Sequence, residues 1–496
     1  MSRNRLADAS HRDESPAKRI MIKRLILFGA TGDLAGRFLL PALAELYDED
    51  KLPQDFSVTG AAVEDWNDEQ FRQHADEQLE RHAASDVASA SREAVVRSLS
   101  YRKIDLKDTA SVAALVADAS GLTVPDAEVE PVAAYLALPS AVFPVAVKAL
   151  DSVGLPAGSR IVLEKPFGED LDSAIVLNKL LKRVTGIAGE KAIFRVDHAL
   201  GMATVQNLLA VRLANRVLEP VWNSNHIEQV DILWEETLAL EGRASYYDRA
   251  GALKDVIQNH LLQVLCVIGM EPPISIEERD LRDARFDVLR SVRPLTWADA
   301  VTKSRRARYT AGVLADTGGA DGRIVPAYVE EEGVNPQRET ETFAEIVLEL
   351  DSWRWSGTRF LLRTGKALSN RRKEAVLRFR PVPRLPFGDH ASARPTANEL
   401  RIGLDGPYGF ALHLTGIETG PPSHLAPMIL DAELPVPKLP AYSRVLMDVL
   451  TGNSALSIRG DEAEQAWRIV TPVLEAWADG RVAMQEYPAG SDGPAS

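Results

Sequence analysis

The chain has 496 residues, of which 45% are hydrophobic and 26% are charged, and it carries a formal net charge of −14. Its length exceeds the roughly 250–300 residues at which a single hydrophobic core stops growing, so we expect two domains. The acidic balance argues against a nucleic-acid partner and against an anionic membrane surface. An anionic small molecule needs only a local cluster of positive charge and is not excluded.

The single cysteine, Cys266, excludes an internal disulfide and a cysteine-based zinc site. No segment reaches the roughly 18 consecutive apolar residues of a membrane span, and the N-terminus lacks the apolar region of a signal peptide. We therefore expect a cytoplasmic protein with no membrane partner. Residues 1–21 are polar and residues 487–496 are rich in Pro, Gly and Ser, which favours a flexible arm and a flexible tail.

The first motif is a strand, a glycine turn and a helix. Residues 23–28 are predicted to form a buried strand, and Gly-Ala-Thr-Gly-Asp-Leu-Ala follows at 29–35. Glycines in such a turn let the backbone approach a pyrophosphate, whose charge is met by the helix N-terminus. The spacing differs from the commoner Gly-x-Gly-x-x-Gly, so the turn alone leaves dinucleotide binding open rather than decided. The candidate cofactor contacts are Gly29, Thr31, Gly32, Asp33, Leu34 and Arg37.

A second apolar strand, residues 57–62, ends at Val63 and Glu64. In nucleotide-binding folds an acid at this strand end accepts a hydrogen bond from the ribose 2′-hydroxyl, whereas an arginine pairs with a 2′-phosphate. Val63 and Glu64 therefore favour NAD over NADP. The alternative is that Glu64 and Asp65 only begin the next helix, where acids are favoured.

Lys165 follows another buried strand, residues 159–164, and precedes a proline. Ligands of parallel sheets bind at the carboxyl ends of the strands, so this lysine is a candidate contact to a sugar oxygen or a phosphate. Without further neighbours, a solvated loop lysine would be the favoured explanation.

The helix that carries His260 has an apolar face, built from residues such as Leu253, Ile257 and Leu261. A histidine on that face is either a core histidine or a base in a dry pocket. Asp255 lies five residues earlier, about 140° around the helix, and cannot orient the imidazole. Asp197 ends the apolar run 194–196 and could supply the carboxylate, while strand alternation would direct His198 the opposite way.

From about residue 190 the pattern changes to strands exposed on one face, such as 229–234 and 343–350. We therefore predict an α/β Rossmann-like dinucleotide-binding domain at 22–190 and an α+β domain with a large, mainly antiparallel sheet at 191–486. A strand-like run at 359–362 precedes Lys366. The basic run 371–373 is interpreted as a solvated face, and no His/Asp/Glu set has metal-ligand spacing, so no metal is expected.

Five motifs occur in one order between residues 25 and 380: the Gly-x-x-Gly-Asp-Leu-Ala turn, Glu-Lys-Pro-Phe-Gly, Asp-His-x-Leu-Gly, Gly-Arg-x-x-Tyr-Tyr-Asp with Gln-Asn-His-Leu, and Thr-Glu-Thr-Phe with Arg-Thr-Gly-Lys. Together they closely resemble the glucose-6-phosphate dehydrogenase family. The resemblance implies oxidation of a sugar C1 hydroxyl to a lactone, with NAD or NADP as hydride acceptor. It also implies pairing across the large sheet in a homodimer or homotetramer.

The resemblance also implies roles for individual residues. His260 matches the general base and Asp197 the acid that orients it. Lys165 matches a contact to both substrate and cofactor. The remaining substrate-binding matches are His198, Glu236, Asp255, Lys366 and Arg371.

Two positions depart from the family pattern. The family has Tyr where this chain has Ala199 and Lys where it has Met202, and both are donors toward the substrate phosphate. Each charge-assisted bond is worth about 1.5–3 kcal/mol, so another cation must compensate or the 6-substituent must differ. Arg212 and Arg216 on the following helix are the candidates for compensation. The family's arginine for the NADP phosphate is replaced by Val63.

The leading prediction is a glucose-6-phosphate dehydrogenase-like enzyme that prefers NAD and binds a sugar phosphate. One alternative is a paralogue that acts on a hexose without phosphate, or with another substituent, at C6. A second alternative is a catalytically weak, nucleotide-binding regulatory relative, against which the retained Asp197, His260 and Lys165 argue.

Overall fold

The computed structural model of the protein describes residues 21–123, 128–315, 322–385, 397–405, 409–417, 425–433 and 438–495. Within these ranges, no helix combines the length and the apolar character needed to cross a membrane.

The N-terminal sheet is parallel throughout. Its strands are β1 (Arg24–Phe28), β2 (Ser57–Ala62), β3 (Leu99–Lys103), β4 (Val132–Leu136), β5 (Arg160–Glu164) and β6 (Ile193–Val196). In the described part of the chain six strands lie in the order β3-β2-β1-β4-β5-β6, which is the order of a doubly wound dinucleotide-binding sheet. Every residue of β4 is buried, because helices cover both faces of the sheet.

The helices of this region alternate with the strands. They are a π-helical segment (Ala35–Leu39), α1 (Leu40–Asp48), α2 (Asp68–His82), α3 (Ser89–Ser98), α4 (Thr109–Ala119), α5 (Phe143–Val153), α6 (Leu171–Thr185), α7 (His198–Gly201) and α8 (Ala203–Leu213). Short 3₁₀ turns lie at Ser140–Val142 and Gly186–Ala192. Capping boxes at Asn67 and Asp170 define where α2 and α6 begin.

The second sheet is mostly but not wholly antiparallel. Its strands are β7 (Ile227–Glu235), β8 (Ser304–Thr310), β11 (Phe343–Glu349), β12 (Arg359–Gly365), β13 (Arg372–Phe379), β14 (Glu399–Gly403), β15 (Gly409–Ile417), β16 (Leu425–Glu433) and β17 (Met484–Pro488), while β9 (Gly312–Leu314) and β10 (Arg323–Val325) form a separate pair. Among the described residues the nine-stranded order is β16-β15-β14-β13-β7-β12-β11-β8-β17. Only the pairs β7/β12 and β8/β17 are parallel in that part of the chain.

The remaining helices belong to the C-terminal part of the chain. They are α9 (Ala244–Ala252), a second π-helical segment (Leu253–Leu261), α10 (Leu262–Gly269), α11 (Glu278–Ser291), α12 (Trp297–Thr302), α13 (Ala441–Thr451) and α14 (Gly460–Ala478), with 3₁₀ turns at Glu219–Val221, Tyr328–Glu330 and Pro336–Arg338. Every residue of α10 is buried, in a sequence that is apolar except for Gln263.

The two predicted regions interlock in space. Strand β6 adds to the first sheet beyond the predicted boundary at residue 190. Helix α13 returns from the far end of the chain and packs on the first sheet's helices: the Ile22 N–H donates to the Leu450 carbonyl at 2.8 Å, and Arg160 donates to the carbonyls of Val449 and Leu450 at 2.6 and 2.7 Å.

Strand β3, with the sequence Leu-Ser-Tyr-Arg-Lys, directly follows α3 and has no turn signal before it. Within the segment expected to be a flexible tail, Tyr487 and Pro488 end β17 and Ser491 forms a bridge with Leu368. Tyr487 is only 1% exposed, and its hydroxyl donates to the Lys366 carbonyl at 2.7 Å.

Candidate active site

A buried hydrogen bond joins the end of β6 to the second π-helical segment. His260 Nδ1 lies 2.5 Å from Asp197 Oδ1, and the two residues are 3% and 2% exposed. The same carboxylate oxygen accepts the Ala199 N–H at 2.9 Å, so Asp197 also caps α7. Burial would raise the pKa of Asp197, but His260, His198 and Lys165 outweigh it and lower the pKa to about 2. An ionised Asp197 requires the proton on Nδ1, which leaves Nε2 able to accept another proton.

The start of the helical segment that carries His260 is held by a buried acid. Gly251 adopts a φ of +68°, and a Cβ there would lie 2.5 Å from the Glu341 carboxylate. That close approach lets Glu341 accept the Leu253 N–H at 2.9 Å, at the first residue of the π-helical segment. Burial raises the pKa of Glu341 to about 7. The Asn259 side chain, next to the histidine, accepts the His260 N–H at 2.7 Å.

Two ion pairs lie close to the dyad. Lys165 Nζ donates to Asp255 at 2.9 Å (Oδ1) and 2.6 Å (carbonyl O), and Lys366 Nζ donates to Glu236 Oε2 at 2.7 Å. These four side chains are only 16–26% exposed. Burial would raise the pKa of Asp255, but Lys165 and then Lys366 hold it below its ordinary value. The arrangement offers lysine donors and carboxylate acceptors to a polyhydroxylated ligand.

Aromatic rings surround the dyad. The Trp234 ring stacks on the His260 ring with centroids 5.3 Å apart, and the His198 ring meets His260 edge-on at 4.7 Å. On its other side His198 stacks on Tyr442 of α13 at 5.6 Å, and Tyr442 stacks on Phe38 at 5.0 Å. His198 begins α7 rather than extending β6, so the expected opposite direction does not apply and it lies beside the dyad. Burial, then the nearby His260, lower the pKa of His198 to about 3.

The glycine turn has the form that a pyrophosphate requires. Gly29 adopts a φ of +76°, and a Cβ there would lie 2.3 Å from the Ala137 carbonyl oxygen. No side chain caps the following helix at Leu34, and the Gly36 N–H donates to the Gly32 carbonyl of the turn at 3.1 Å. The Thr31 hydroxyl donates to Glu64 Oε2 at 3.0 Å, which joins the turn to the end of β2. Arg37 pairs with Asp33 at 3.5 Å, and Val63 is 74% exposed.

Known proteins are similar to this chain over most of its length. The glucose-6-phosphate dehydrogenase NAD binding domain matches residues 26–207, and the C-terminal domain of the same family matches residues 209–496. A glucose-6-phosphate 1-dehydrogenase of Rhizobium meliloti (strain 1021) is 38% identical over 478 residues, covering 95% of this chain and 94% of that protein. The chain belongs to the glucose-6-phosphate dehydrogenase family.

Solved structures agree with this assignment. A glucose-6-phosphate dehydrogenase in complex with glucose 6-phosphate superposes with a TM-score of 0.83 at 28% identity, covering 96% of each chain. Glucose-6-phosphate 1-dehydrogenase from Mycobacterium avium gives 0.81 at 31% identity, covering 96% of this chain and 95% of that one. The protein is accordingly an oxidoreductase of the family that uses a nicotinamide dinucleotide and acts on a CH–OH group.

The two residues that depart from the family pattern are apolar and packed. Ala199 is 0% exposed, and Met202 is partly buried against the main hydrophobic core. The compensating cations suggested by the sequence lie elsewhere. Arg212 is fully buried, pairs with Glu219 and donates to backbone carbonyls of α10. Arg216 lines a separate surface hollow with Glu219 and Trp353. Neither arginine is at the site, so that expectation is corrected.

Several residues near the dyad escaped the sequence analysis. Tyr442 has no local motif that marks it, and Glu341 lies within the Thr-Glu-Thr-Phe motif, which gives it no role by itself. Both residues reach the site through tertiary packing. The Tyr135 hydroxyl donates to Glu164 at 2.5 Å, and burial raises the pKa of Glu164, next to Lys165, to about 7. Lys373 belongs to the basic run that was interpreted as a solvated face, yet its side chain is 13% exposed.

The remaining predicted residue, Arg371, is half-exposed and pairs with Asp405. Asp405 also lies 3.4 Å from Lys373, which in turn lies 3.6 Å from Glu236. Arg371 is thus connected to the site through a chain of charges and does not contact the dyad.

Separately, Asp197, His198 and His260 bring potential ligand atoms within 4.8 Å of one another, a spacing that a metal ion could use.

Proposed function

We propose that this enzyme oxidises the C1 hydroxyl of glucose 6-phosphate to the lactone and prefers NAD as hydride acceptor. The observation that supports it is the buried Asp197–His260 hydrogen bond beside the Lys165–Asp255 and Lys366–Glu236 pairs. A catalytically inactive regulatory protein would have no need of a buried imidazole oriented by an ionised carboxylate.

The proton leaves through His260. With Nδ1–H donated to Asp197, Nε2 accepts the proton of the C1 hydroxyl as the C1–H bond breaks. The nicotinamide, when bound, accepts the hydride from C1. The Asp197 carboxylate then stabilises the imidazolium that forms, in surroundings with little water to screen the two charges.

Sugar hydroxyls bind the two ion pairs. Asp255 and Glu236 accept hydrogen bonds from hydroxyl groups, and Lys165 and Lys366 donate to sugar oxygens. Both lysines are already directed by a carboxylate, so little side-chain freedom is lost when the sugar binds. Such placement of C1 against Nε2 accounts for a large part of the rate enhancement in reactions of this kind.

The preference for NAD rests on the end of β2. The Thr31 hydroxyl holds the Glu64 carboxylate at the glycine turn, where it can accept the ribose 2′-hydroxyl. A 2′-phosphate would instead meet this carboxylate and the uncharged side chain of Val63. The nearby Lys103 is paired with Asp65 at 3.2 Å.

A second candidate, supported by the apolar Ala199 and Met202, is a hexose with no phosphate at C6 or with a different substituent there. One assay separates the possibilities: the appearance of reduced nicotinamide with NAD or NADP, against glucose 6-phosphate, glucose, galactose and 6-deoxyglucose. A marked advantage of glucose 6-phosphate is expected. Equal rates with glucose would refute the substrate assignment, and no turnover of any sugar would favour the regulatory alternative.

The proposed reaction uses no metal. Treatment with EDTA is expected to leave kcat and KM unchanged, because proton removal by His260 requires no Lewis acid. A loss of activity restored by a divalent cation would instead assign Asp197, His198 and His260 to a metal site.

The enzyme is further proposed to act as a homodimer through the outer strands of the large sheet, and the cytoplasmic location stays a prediction.

A further inference from the structure

Three lysine ammonium groups lie among the carboxylates beside the dyad, and they differ in how they are paired. Lys165 and Lys366 each donate a hydrogen bond of 2.9 Å or less to a carboxylate oxygen. Lys373 lies 3.4 Å from Asp405 and 3.6 Å from Glu236, distances typical of loose ion pairs rather than of good hydrogen bonds. Its N–H groups can therefore turn toward an incoming anion without breaking a short bond.

The register of the large sheet places Lys373 near His260. Strand β13 pairs with β7 so that Lys373 lies opposite Trp234. The ammonium sits 4.3 Å from the centroid of the indole, whose ring also stacks on His260. The Lys373 ammonium and the His260 imidazole therefore contact the same indole. Lys373 is also among the charges that lower the pKa of His198 to about 3, after burial, His260 and Lys165.

The α7 turn supplies few donors to an anion. Ala199 and Met202 are apolar and packed, which leaves His198 as the polar side chain near the start of that turn. With C1 at His260, as proposed above, a C6 group directed along the indole of Trp234 would also meet the imidazole of His198. A dianion there needs at least one cation in addition to a neutral imidazole.

We propose that Lys373, together with His198, binds the anionic group at C6 of the sugar and so replaces the charge that Met202 does not provide. The proposal rests on the proposed oxidation of a hexose phosphate. It assigns Lys373 to substrate specificity rather than to the chemical step.

The test compares Lys373→Gln with Arg372→Gln in steady-state assays with glucose 6-phosphate and with 6-deoxyglucose. Arg372 is the matched control because it is the neighbouring cation of β13 and pairs instead with Glu235 and Glu374. Lys373→Gln is expected to lower kcat/KM for glucose 6-phosphate by roughly 10- to 100-fold, mainly through KM, with 6-deoxyglucose hardly affected. Lys373→Arg should retain most of the preference, and thermal melting checks that each variant is folded.

Inorganic phosphate provides a readout that does not depend on the identity of the substrate. It should inhibit turnover of 6-deoxyglucose competitively, and Lys373→Gln should weaken this inhibition by a similar factor. If the wild-type enzyme does not favour glucose 6-phosphate but phosphate inhibition depends on Lys373, the proposed substrate fails and the anion site stands. An equal loss with both sugars, no loss with either, or inhibition that is absent or independent of Lys373 would overturn the assignment.

Discussion

At the scale of single residues, the hydrogen bond between Asp197 and His260 determines which imidazole nitrogen is free. Asp197 has a pKa of about 2 and stays ionised throughout the neutral range, so it keeps the proton on Nδ1. The folded protein thereby removes the uncertainty about tautomer that a lone histidine would have.

Replacing the base should abolish the chemical step and spare binding. His260→Asn is expected to lower kcat by roughly 10²- to 10⁴-fold, since an amide cannot take the hydroxyl proton. The dissociation constant of NADH, measured by fluorescence titration, should stay unchanged. The exposed His226 is the control, and His226→Asn should retain full activity. A normal rate in His260→Asn would remove this residue from the reaction.

Cofactor choice depends on the exposed end of β2. Val63→Arg should shift the ratio of kcat/KM for NADP to that for NAD by roughly tenfold or more toward NADP, because an arginine can pair with the 2′-phosphate. Val176→Arg adds the same charge at an exposed position of α6 and should leave the ratio unaltered. An unchanged ratio in both variants would show that this strand end does not contact the ribose.

At the scale of elements, the catalytic histidine depends on how its helical segment begins. Glu341 accepts the Leu253 N–H at the first residue of that segment, and Gly251 leaves room for its carboxylate. The acid is buried, so its charged form is costly in the folded state.

The free energy of unfolding should therefore depend on pH through the ionisation of Glu341. Burial raises the pKa of Glu341 from its ordinary value of 4.5 to about 7 in the folded protein. The folded state therefore binds the proton more tightly, and this stabilisation is present below pH 4.5 and is lost as the pH rises through about 7. The change amounts to roughly 3 kcal/mol at most.

Glu341→Gln keeps the bond to Leu253 without an ionisable group. In urea unfolding between pH 5 and 8, the free energy of unfolding of the variant should fall less steeply with pH than that of the wild type. Glu332→Gln changes an exposed acid nearby and serves as the control. If the free energy of unfolding fell equally with pH in the wild type and in Glu341→Gln, ionisation of Glu341 would not be the cause.

At the scale of the whole molecule, sequence patterns predict local features such as strand ends. They miss contacts between residues that are far apart in the sequence. Strands β1, β2, β5 and β6 end at the residues that the motifs marked, because buried apolar runs with sharp turns are local signals. Tyr442 contacts the site only because α13 returns to the first sheet. The prediction of a solvated face is wrong for Lys373, because a basic run has the same composition on a solvated surface and beside an active site. The pairing of β13 with β7 places Lys373 beside the active site.

The outer strands of the large sheet, β15 and β16, are the surface that most directly supports a dimer. Their register aligns Leu430 with Leu412 and Leu400, which face the core, whereas Ile429 aligns with His413 and Glu399 on the opposite face. Leu430 is 55% exposed, so it continues the apolar face beyond the part of the sheet that the described helices cover. Uncovered apolar strands at a sheet edge are typical of subunit interfaces.

A charge on that face should separate the subunits. Leu430→Glu is expected to convert a dimer to a monomer in light scattering coupled to size-exclusion chromatography, because dimer formation would bury an unpaired carboxylate. Ile429→Glu places the same charge one residue away on the polar face and should leave the dimer intact. A wild type that elutes as a monomer, or a dimer that dissociates equally in both variants, would exclude this face as the interface. Because the dyad, the ion pairs and the glycine turn all lie in one chain, the Leu430→Glu monomer should retain the chemical step if its fold is unchanged.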